Sequence, residues 1–248
     1  MYNADPQYFA PTSDVVKNAA RFAESGVLSP IPLMPADRVE RVMDTITNLA
    51  KNRDGQLPPM LRAKPHLLVP QLWDLVMDPL IVQQISAILG PDVVCFGTSL
   101  IWKPVGKALH VSWHQDATHW GLIRPDAVTV WIALTPSTQD NGCVLVVPNS
   151  HHATVDHDHP DDPDNMLGRK EVARARIDPK DVAPLELSAG EMSMHHALLL
   201  HGSGVNCSQS NRIGFALRYI AADNGQRDGY VGSATPVCGQ PSAAYDAE

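Results

Sequence analysis

The spacing of apolar residues changes near position 90 of the chain. Before that point apolar residues recur every three or four positions, which is the spacing of one face of an α-helix. The pattern predicts three helices, within 13–25, 35–52 and 78–90. Asp78 is a helix-capping residue type, and Gly90 is a common residue at a helix end. The N-terminal third is therefore predicted to be mainly helical.

From residue 93 onward the apolar period becomes two, which is the spacing of a half-buried strand. Strand candidates separated by turn residues are VVCFGTSLIW, VTVWIALT, CVLVVP, LEL, GEMSMHHALLLH and RIGFALRYI. Helices followed by short strands predict an α+β fold, mainly β: a double-stranded β-helix, or jelly roll, with N-terminal buttressing helices. We expect one domain, 1–248, divided into helical support (1–90), a jelly-roll core (91–222) and a C-terminal tail (223–248).

Composition limits the classes of partner. The 248 residues are 44% hydrophobic, which is enough for a substantial core, and the net charge of -8 without a Lys/Arg cluster disfavours nucleic acid. No run of 18 uninterrupted apolar residues occurs, so we expect no membrane span. The N-terminus lacks a secretory pattern and AAYDAE is no peroxisomal signal, so we expect a cytoplasmic protein that acts on a small molecule. The sequence leaves the oligomeric state open.

Two histidines and an aspartate form the candidate metal site. His114 and Asp116 are separated by one residue, and His201 follows 85 positions later. Two imidazoles and one carboxylate form the facial triad of non-haem iron oxygenases, which leaves coordination positions open. Residues i and i+2 share a face only in an extended chain, so we expect a strand through both proximal ligands. The opposite face would then carry Val111, Trp113, Gln115 and Ala117.

Other histidines compete for this assignment. A second His-x-Asp tripeptide, 159–161, lies in an acidic, proline-rich stretch that is typical of a solvated loop. His195 and His196 precede His201 in the same predicted strand, and alternation places His195 on the His201 face. We favour His201 because a small-residue turn follows it and an arginine stands eleven positions later.

Two arginines, Arg212 and Arg218, share one face of the last predicted strand. An inward-facing arginine requires an anionic partner, because a buried unpaired guanidinium is costly. A dicarboxylate co-substrate would supply that partner, since the planar guanidinium suits bidentate binding of a carboxylate. The alternative is a surface strand, or a structural ion pair with a protein acid.

Three separated motifs together resemble a known family. They are HQD at 114–116, the segment 128–152 and the segment 190–219. In this order they resemble the phytanoyl-CoA dioxygenase-like branch of the Fe(II)/2-oxoglutarate-dependent oxygenases, over about 93–221. The resemblance implies that His114, Asp116 and His201 hold Fe(II). Halogenases related to this family carry Gly or Ala in place of Asp116, so the resemblance implies hydroxylation or a similar oxidation.

The same resemblance implies a co-substrate site. The family's arginine eleven residues after the distal histidine grips the far carboxylate of 2-oxoglutarate, which corresponds to Arg212. Ser203 and Trp131 correspond to residues that often assist. The implied reaction consumes O2 and 2-oxoglutarate, releases succinate and CO2, and oxidises a C–H bond of a substrate that the sequence does not identify.

Two other classes of function remain open on the residues alone. A jelly-roll metalloenzyme can use the same ligands with Zn or Mn for lyase or isomerase chemistry, and a barrel can bind a small molecule without catalysis. An intact triad beside Arg212 argues against a binding module, which has no need of three convergent ligands.

Substrate contacts are expected from two regions. Trp113, His119 and Trp120 flank the proximal ligands and are candidates for the pocket wall. The segment 151–185 is long for a loop in a compact domain, and active-site lids are the usual functional case. We predict that part of it covers the pocket, and the candidate contacts within it are Asn165, Met166 and Arg169.

Overall fold

Four helices form the N-terminal part of the described chain. The computed structural model describes residues 13–51, 58, 61–118, 120–227, 232–240 and 244–248. The helices are α1 (Ser13–Ser25), α2 (Ala36–Ala50), α3 (Pro70–Val76) and α4 (Pro79–Leu89). The three predicted helices are confirmed. Helix α3 was missed, because seven residues are too few to display a helical period.

Thirteen strands are present among the described residues. They are β1 (Val27–Pro32), β2 (Val93–Lys103), β3 (Val111–His114), β4 (Ala127–Ala133), β5 (Val144–Val146), β6 (His157–Asp158), β7 (Val172–Ala173), β8 (Ala183–Leu185), β9 (Glu191–His196), β10 (His201–Ser203), β11 (Arg212–Ala221), β12 (Ser233–Cys238) and β13 (Asp246–Ala247). Seven of them form a large sheet in the order β1-β9-β4-β11-β2-β12-β13, and four form a small sheet in the order β3-β10-β5-β8. Strands β6 and β7 pair separately.

The two sheets form the predicted double-stranded β-helix, and the helices pack on the outside of the large sheet. Strand β11 shows the division, because its side chains alternate between two environments. Phe215 and Tyr219 join the main core with residues of α3 and α4, and the Tyr219 hydroxyl donates to Val76 O at 2.9 Å. Ala216 points the other way and packs with Trp131 in the cluster between the sheets. The face of the large sheet opposite the helices therefore meets the small sheet.

Three strands at the two edges of the large sheet, β1, β12 and β13, were not predicted from the apolar period. Strand β1 follows α1 directly and pairs with β9, so the helical support also contributes to the sheet. Strand β12 lies in the predicted C-terminal tail and pairs with β2, while β13 runs parallel to β12. The tail thus extends the core sheet. The predicted strand GEMSMHHALLLH is wrong as a single element, because a turn separates β9 from β10.

One stretch of the described residues, Pro70–Leu89, is long and apolar enough to cross a membrane by length and composition alone. In the fold it comprises α3 and α4, and 44% of it is buried inside the protein. Leu72, Leu75 and Ile81 are fully buried in the main core. The stretch is thus a pair of packed core helices interrupted near Asp78.

The side chain of Asp78 links helices α2 and α4. We therefore expect it to make a measurable contribution to the free energy of unfolding. Its Oδ1 accepts from Leu80 N at 3.0 Å and caps α4, and its Oδ2 pairs with Arg38 Nη1 at 2.5 Å. Asp78→Ala should lower the free energy of unfolding by about 2 kcal/mol, because both the cap and the partly buried ion pair are lost. Urea denaturation measures this. The exposed neighbour Asp74 is the control, and Asp74→Ala should change stability by less than about 0.5 kcal/mol.

Candidate metal centre

Three buried side chains converge where the small sheet meets the large one. His114 is the last residue of β3 and His201 is the first of β10, and the two are direct partners in the antiparallel pairing of these strands. Their ring centroids lie 4.1 Å apart. Asp116 completes the group, and one potential ligand atom from each residue lies within 4.8 Å of the others. Among the described residues this is the one cluster of His, Cys, Asp and Glu placed to hold a metal.

The expectation of an extended chain through both proximal ligands is wrong. Strand β3 ends at His114, and Asp116 begins a 3-10 helix, Asp116–Thr118. Gln115 anchors the bend: its fully buried side chain donates from Nε2 to Ala153 O at 2.8 Å and to Leu198 O at 2.6 Å. Sequence reasoning assigned Gln115 no role, because its partners lie about 40 and 80 positions away.

Hydrogen bonds orient each metal ligand. His114 Nδ1 donates to Ser112 O and His201 Nδ1 to Leu199 O, both at 2.9 Å, because a carbonyl can only accept. Each imidazole therefore directs Nε2 toward the other ligands. Thr129 Oγ1 donates to Asp116 Oδ2 at 2.9 Å from neighbouring strand β4. This second layer of contacts fixes the tautomers and the carboxylate before any ion binds.

The protonation states suit a divalent metal. Burial alone would raise the pKa of Asp116, but the imidazoles of His114, His195 and His201 hold it well below its usual value. Burial, together with His114 and His195, lowers the pKa of His201 well below its usual value. The centre therefore presents an ionised carboxylate and a neutral imidazole at neutral pH, which are the forms that bind metals.

His195 lies next to the triad but outside the ligand group. It stands on β9 opposite Thr129 of β4, and its ring centroid is 4.5 Å from that of His201. Its Nε2 is 3.8 Å from Asp116 Oδ2. The ring is buried, and neither nitrogen has a hydrogen-bond partner among the described residues. The prediction that His195 and His201 share one face of a single strand is wrong, because His195 lies on β9 and His201 on β10, and the two rings meet between these strands.

The predicted co-substrate residues are together at one end of the barrel. Arg212 is 1% exposed, and its Nη1 donates to Gly142 O at 2.5 Å and to Ser203 Oγ at 3.3 Å. Its guanidinium carbon lies 5.1 Å from the centre of the Trp131 ring. Gly214 permits this approach, because a Cβ there would lie 2.1 Å from the indole. Burial lowers the pKa of Arg212 to about 10, so the group stays charged at neutral pH.

A second buried cation, Lys103, was missed by sequence reasoning. It lies on β2 directly opposite Arg212, is fully buried, and donates from Nζ to Ser203 Oγ at 2.5 Å and Ser203 O at 3.0 Å. Its position as the last residue of an apolar strand was the available signal, since a lysine within a buried strand needs partners. Arg218, by contrast, donates to Ser99 Oγ at 3.0 Å and faces Trp120.

The candidate substrate residues fall in different places. Trp113 is half-buried on β3, and Trp120 packs in the second core cluster. His119 lies outside the described residues. Asn165 is buried and donates from Nδ2 to Ser112 Oγ at 2.9 Å, while Met166 N donates to His110 O at 2.8 Å.

The segment 151–185 folds over β3 and borders a cavity of about 420 Å³. The wall includes Ala117 and Thr118, which follow Asp116, and Leu198, which precedes His201 by three positions. The cavity therefore borders chain segments next to the metal centre, and none of the three candidate ligands lines it. Its charged and polar lining comes largely from the segment itself: Asp156, His157, His159, Arg169 and Glu171, with Arg227 from elsewhere.

The residues present fit Fe(II) and 2-oxoglutarate. Two imidazole nitrogens and one carboxylate form a three-ligand face that suits non-haem Fe(II) with positions left open. Arg212 lies outside the candidate ligand group. It has no carboxylate partner among the described residues, and its Nε has no hydrogen bond. A buried cation of this kind fits the far carboxylate of a dicarboxylic acid.

Comparisons with known proteins agree with this geometry. The family model for phytanoyl-CoA dioxygenase (PhyH) matches residues 22–214. A relative from Stutzerimonas stutzeri, a probable alpha-ketoglutarate-dependent hypophosphite dioxygenase, is 29% identical over 73% of this chain and 64% of its own length. The human peroxisomal phytanoyl-CoA dioxygenase is 28% identical over 58% of this chain and 44% of its own length. The chain thus spans less than two thirds of either relative.

A solved structure extends the agreement to the whole fold. The apo form of ThoJ, a non-heme monooxygenase, superimposes with a TM-score of 0.82 and 27% identity. The match covers 93% of this chain and 87% of that chain. The helical support and the two sheets therefore have the arrangement of a non-haem enzyme of this type.

Removal of either histidine ligand should abolish tight iron binding. His114→Ala or His201→Ala should weaken Fe(II) affinity by roughly 100-fold or more, since loss of a supporting contact alone costs about 10- to 100-fold. Anaerobic calorimetry with Fe(II) measures this. His159→Ala is the control, because His159 lies outside the ligand group and its Nδ1 donates to Arg169 O at 3.0 Å. Wild-type affinity in both ligand variants would contradict the assignment.

Proposed function

Because the chain belongs to the phytanoyl-CoA dioxygenase family, we propose that it is a Fe(II)/2-oxoglutarate-dependent dioxygenase that hydroxylates a C–H bond of a small-molecule metabolite. The cofactors are Fe(II), 2-oxoglutarate as co-substrate and O2, and the co-products are succinate and CO2. One observation carries the proposal: the buried group His114, Asp116 and His201 shares the barrel interior with the buried cation Arg212.

Each residue has a defined task in this reaction. His114, Asp116 and His201 hold the metal on one side and leave the opposite side for other ligands. Fe(II), when bound, supplies the oxidation of an unreactive C–H bond by O2 at the expense of 2-oxoglutarate. Arg212 binds the far carboxylate of the co-substrate and thereby orients its chelating end toward the metal. Trp131 covers the guanidinium and excludes water from the pair.

Hydroxylation is favoured over halogenation by the carboxylate of Asp116. The group is ionised, buried and held by Thr129, so it would take the coordination position that a halide needs. Thr129 and the bend at Gln115 both serve to keep it there.

The cavity beside the metal favours a small polar substrate. Two arginines and two histidines contribute to its wall together with two acids, beside apolar side chains such as Leu122, Val155 and Leu198. A volume of about 420 Å³ suits a metabolite of modest size. The names of the two relatives mention chemically unlike molecules, hypophosphite and phytanoyl-CoA, so these names do not identify a substrate for this chain.

Anaerobic titration tests the co-substrate assignment. Fe(II) and 2-oxoglutarate together should produce a visible metal-to-ligand charge-transfer band, and the right substrate should then stimulate succinate release in air. Arg212→Ala should weaken 2-oxoglutarate binding about thirty-fold or more while Fe(II) affinity stays close to that of the wild type, because a charge-assisted pair in a desolvated site is lost.

Arg218→Ala is the matched control, since Arg218 lies on the same face of β11 but contacts Ser99. Retained metal binding with no response to 2-oxoglutarate in the wild-type protein would point to a metalloenzyme of another type. An effect of Arg218→Ala equal to that of Arg212→Ala would contradict the role given to Arg212.

We propose further that part of the segment 151–185, before β8, closes over the substrate. Its cleavage by a protease should slow when Fe(II), 2-oxoglutarate and the substrate are all present without O2, because a covered pocket holds the segment against β3. Limited proteolysis followed by mass spectrometry measures the rate at each site. Equal cleavage rates with and without substrate would contradict the lid role. Cleavage at the exposed residues 105–108, between β2 and β3, serves as the reference.

A further inference from the structure

Lys103 and Arg212 place two positive charges side by side in the barrel. They are direct partners in the antiparallel pairing of β2 with β11, and both are at most 1% exposed. Direct partners in such a pair have their Cβ atoms about 5 Å apart on the same face. Adjacent like charges in a low-dielectric interior repel each other, so both groups are fully charged only when an anion compensates them.

No protein acid supplies that compensation among the described residues. The three acceptors of the Lys103 ammonium are Ser203 Oγ, Ser203 O and Gly204 O, all of them neutral. Arg212 likewise donates hydrogen bonds only to Gly142 O and Ser203 Oγ among the described residues. The electrostatic neighbour that the two cations share is the thiol of Cys143, whose pKa is raised to about 11 by burial and by Glu186, so it is neutral at neutral pH.

We propose that Lys103 is a second cation of the co-substrate pocket: its ammonium exchanges one of its three protein acceptors for the far carboxylate of 2-oxoglutarate and binds this carboxylate together with Arg212. This inference rests on the proposed function. A carboxylate has two oxygens, and the two cations approach the same point, Ser203 Oγ, from neighbouring strands. Gly142 leaves space at this point, because a Cβ there would lie 3.2 Å from Lys103 Nζ and 2.3 Å from Gly204 O.

The protonation of Lys103 should then follow co-substrate binding. Burial, with a further contribution from Arg212, lowers the pKa of Lys103 to about 7, so a large fraction of the ammonium is deprotonated at pH 8 in the free protein. The groups that face it are Arg212 on β11 and Cys143 before β5, while β10 offers only uncharged atoms. A bound carboxylate favours the charged form and raises this pKa, so 2-oxoglutarate should bind more weakly as the pH rises above 7.

Two 2-oxo acids separate this role from a structural one. 2-Oxoglutarate and 2-oxopentanoate have the same chelating end and chain length, but only the former has a second carboxylate. Lys103→Met should weaken the charge-transfer complex of Fe(II) with 2-oxoglutarate about tenfold or more and leave that with 2-oxopentanoate nearly unchanged. Lys107→Met is the control, because Lys107 is exposed in the connection that follows β2.

The outcomes are distinguishable. An equal loss for both acids in Lys103→Met would mean that Lys103 only supports the fold, and the proposal would be overturned. Absence of a charge-transfer band with either acid in the wild-type protein would refute the proposed function itself, and the inference about Lys103 with it.

A measurement on the wild-type protein covers the case in which Lys103→Met does not fold. Calorimetry of 2-oxoglutarate binding to the Fe(II) protein, in buffers of different ionisation enthalpy, counts the protons taken up. We expect uptake of about half a proton at pH 7 and close to one at pH 8, given the pKa of about 7 in the free protein. Binding of 2-oxopentanoate should be accompanied by the uptake of far fewer protons. Equal proton uptake for the two acids would contradict the proposal.

Discussion

The site depends on one strand pairing, that of β3 with β10. His114 and His201 are direct partners there, so the pairing alone brings two imidazoles from positions 87 residues apart to a ring separation of 4.1 Å. A slip of one residue would turn one of them to the opposite face of the small sheet, because side chains alternate along a strand. The third ligand depends on the same pairing, since Asp116 follows the end of β3 and returns toward the pair through the bend at Gln115.

Side chains alternate between the two faces of the large sheet. One face packs in the main core, and the other carries candidate site residues. On β11 one face carries Phe215 and Tyr219 into the main core, while the other carries Arg212 into the space between the sheets. The helices cover the first face, and the small sheet encloses the second. Substitution on the helix side therefore acts mainly through packing, whereas the inner side carries the candidate site residues in addition to a smaller apolar cluster.

The inner face carries polar groups that the described protein does not satisfy. They are Ser193 Oγ, both ring nitrogens of His195 and Nε of Arg212. Each buried group without a hydrogen bond costs about 1 to 3 kcal/mol, so a cluster of them is expensive for a structural core. Such a cluster is reasonable where ligands complete the hydrogen bonds, and His195 and Arg212 both lie next to a predicted ligand-binding group. The extensive core between the helices and the large sheet offsets this cost.

The sequence by itself determined what residue type and local period encode: three of the helices, the alternation of β11, and the choice of three candidate metal ligands and of Arg212 as the candidate co-substrate residue. It could not determine which strands pair, that the chain bends after His114, or that Lys103 faces Arg212. Those features were decided by the tertiary structure, because they join residues about 40 to 110 positions apart. A local pattern shows which residues of a helix or strand face the core. Strand order and register, by contrast, depend on the packing of the whole barrel.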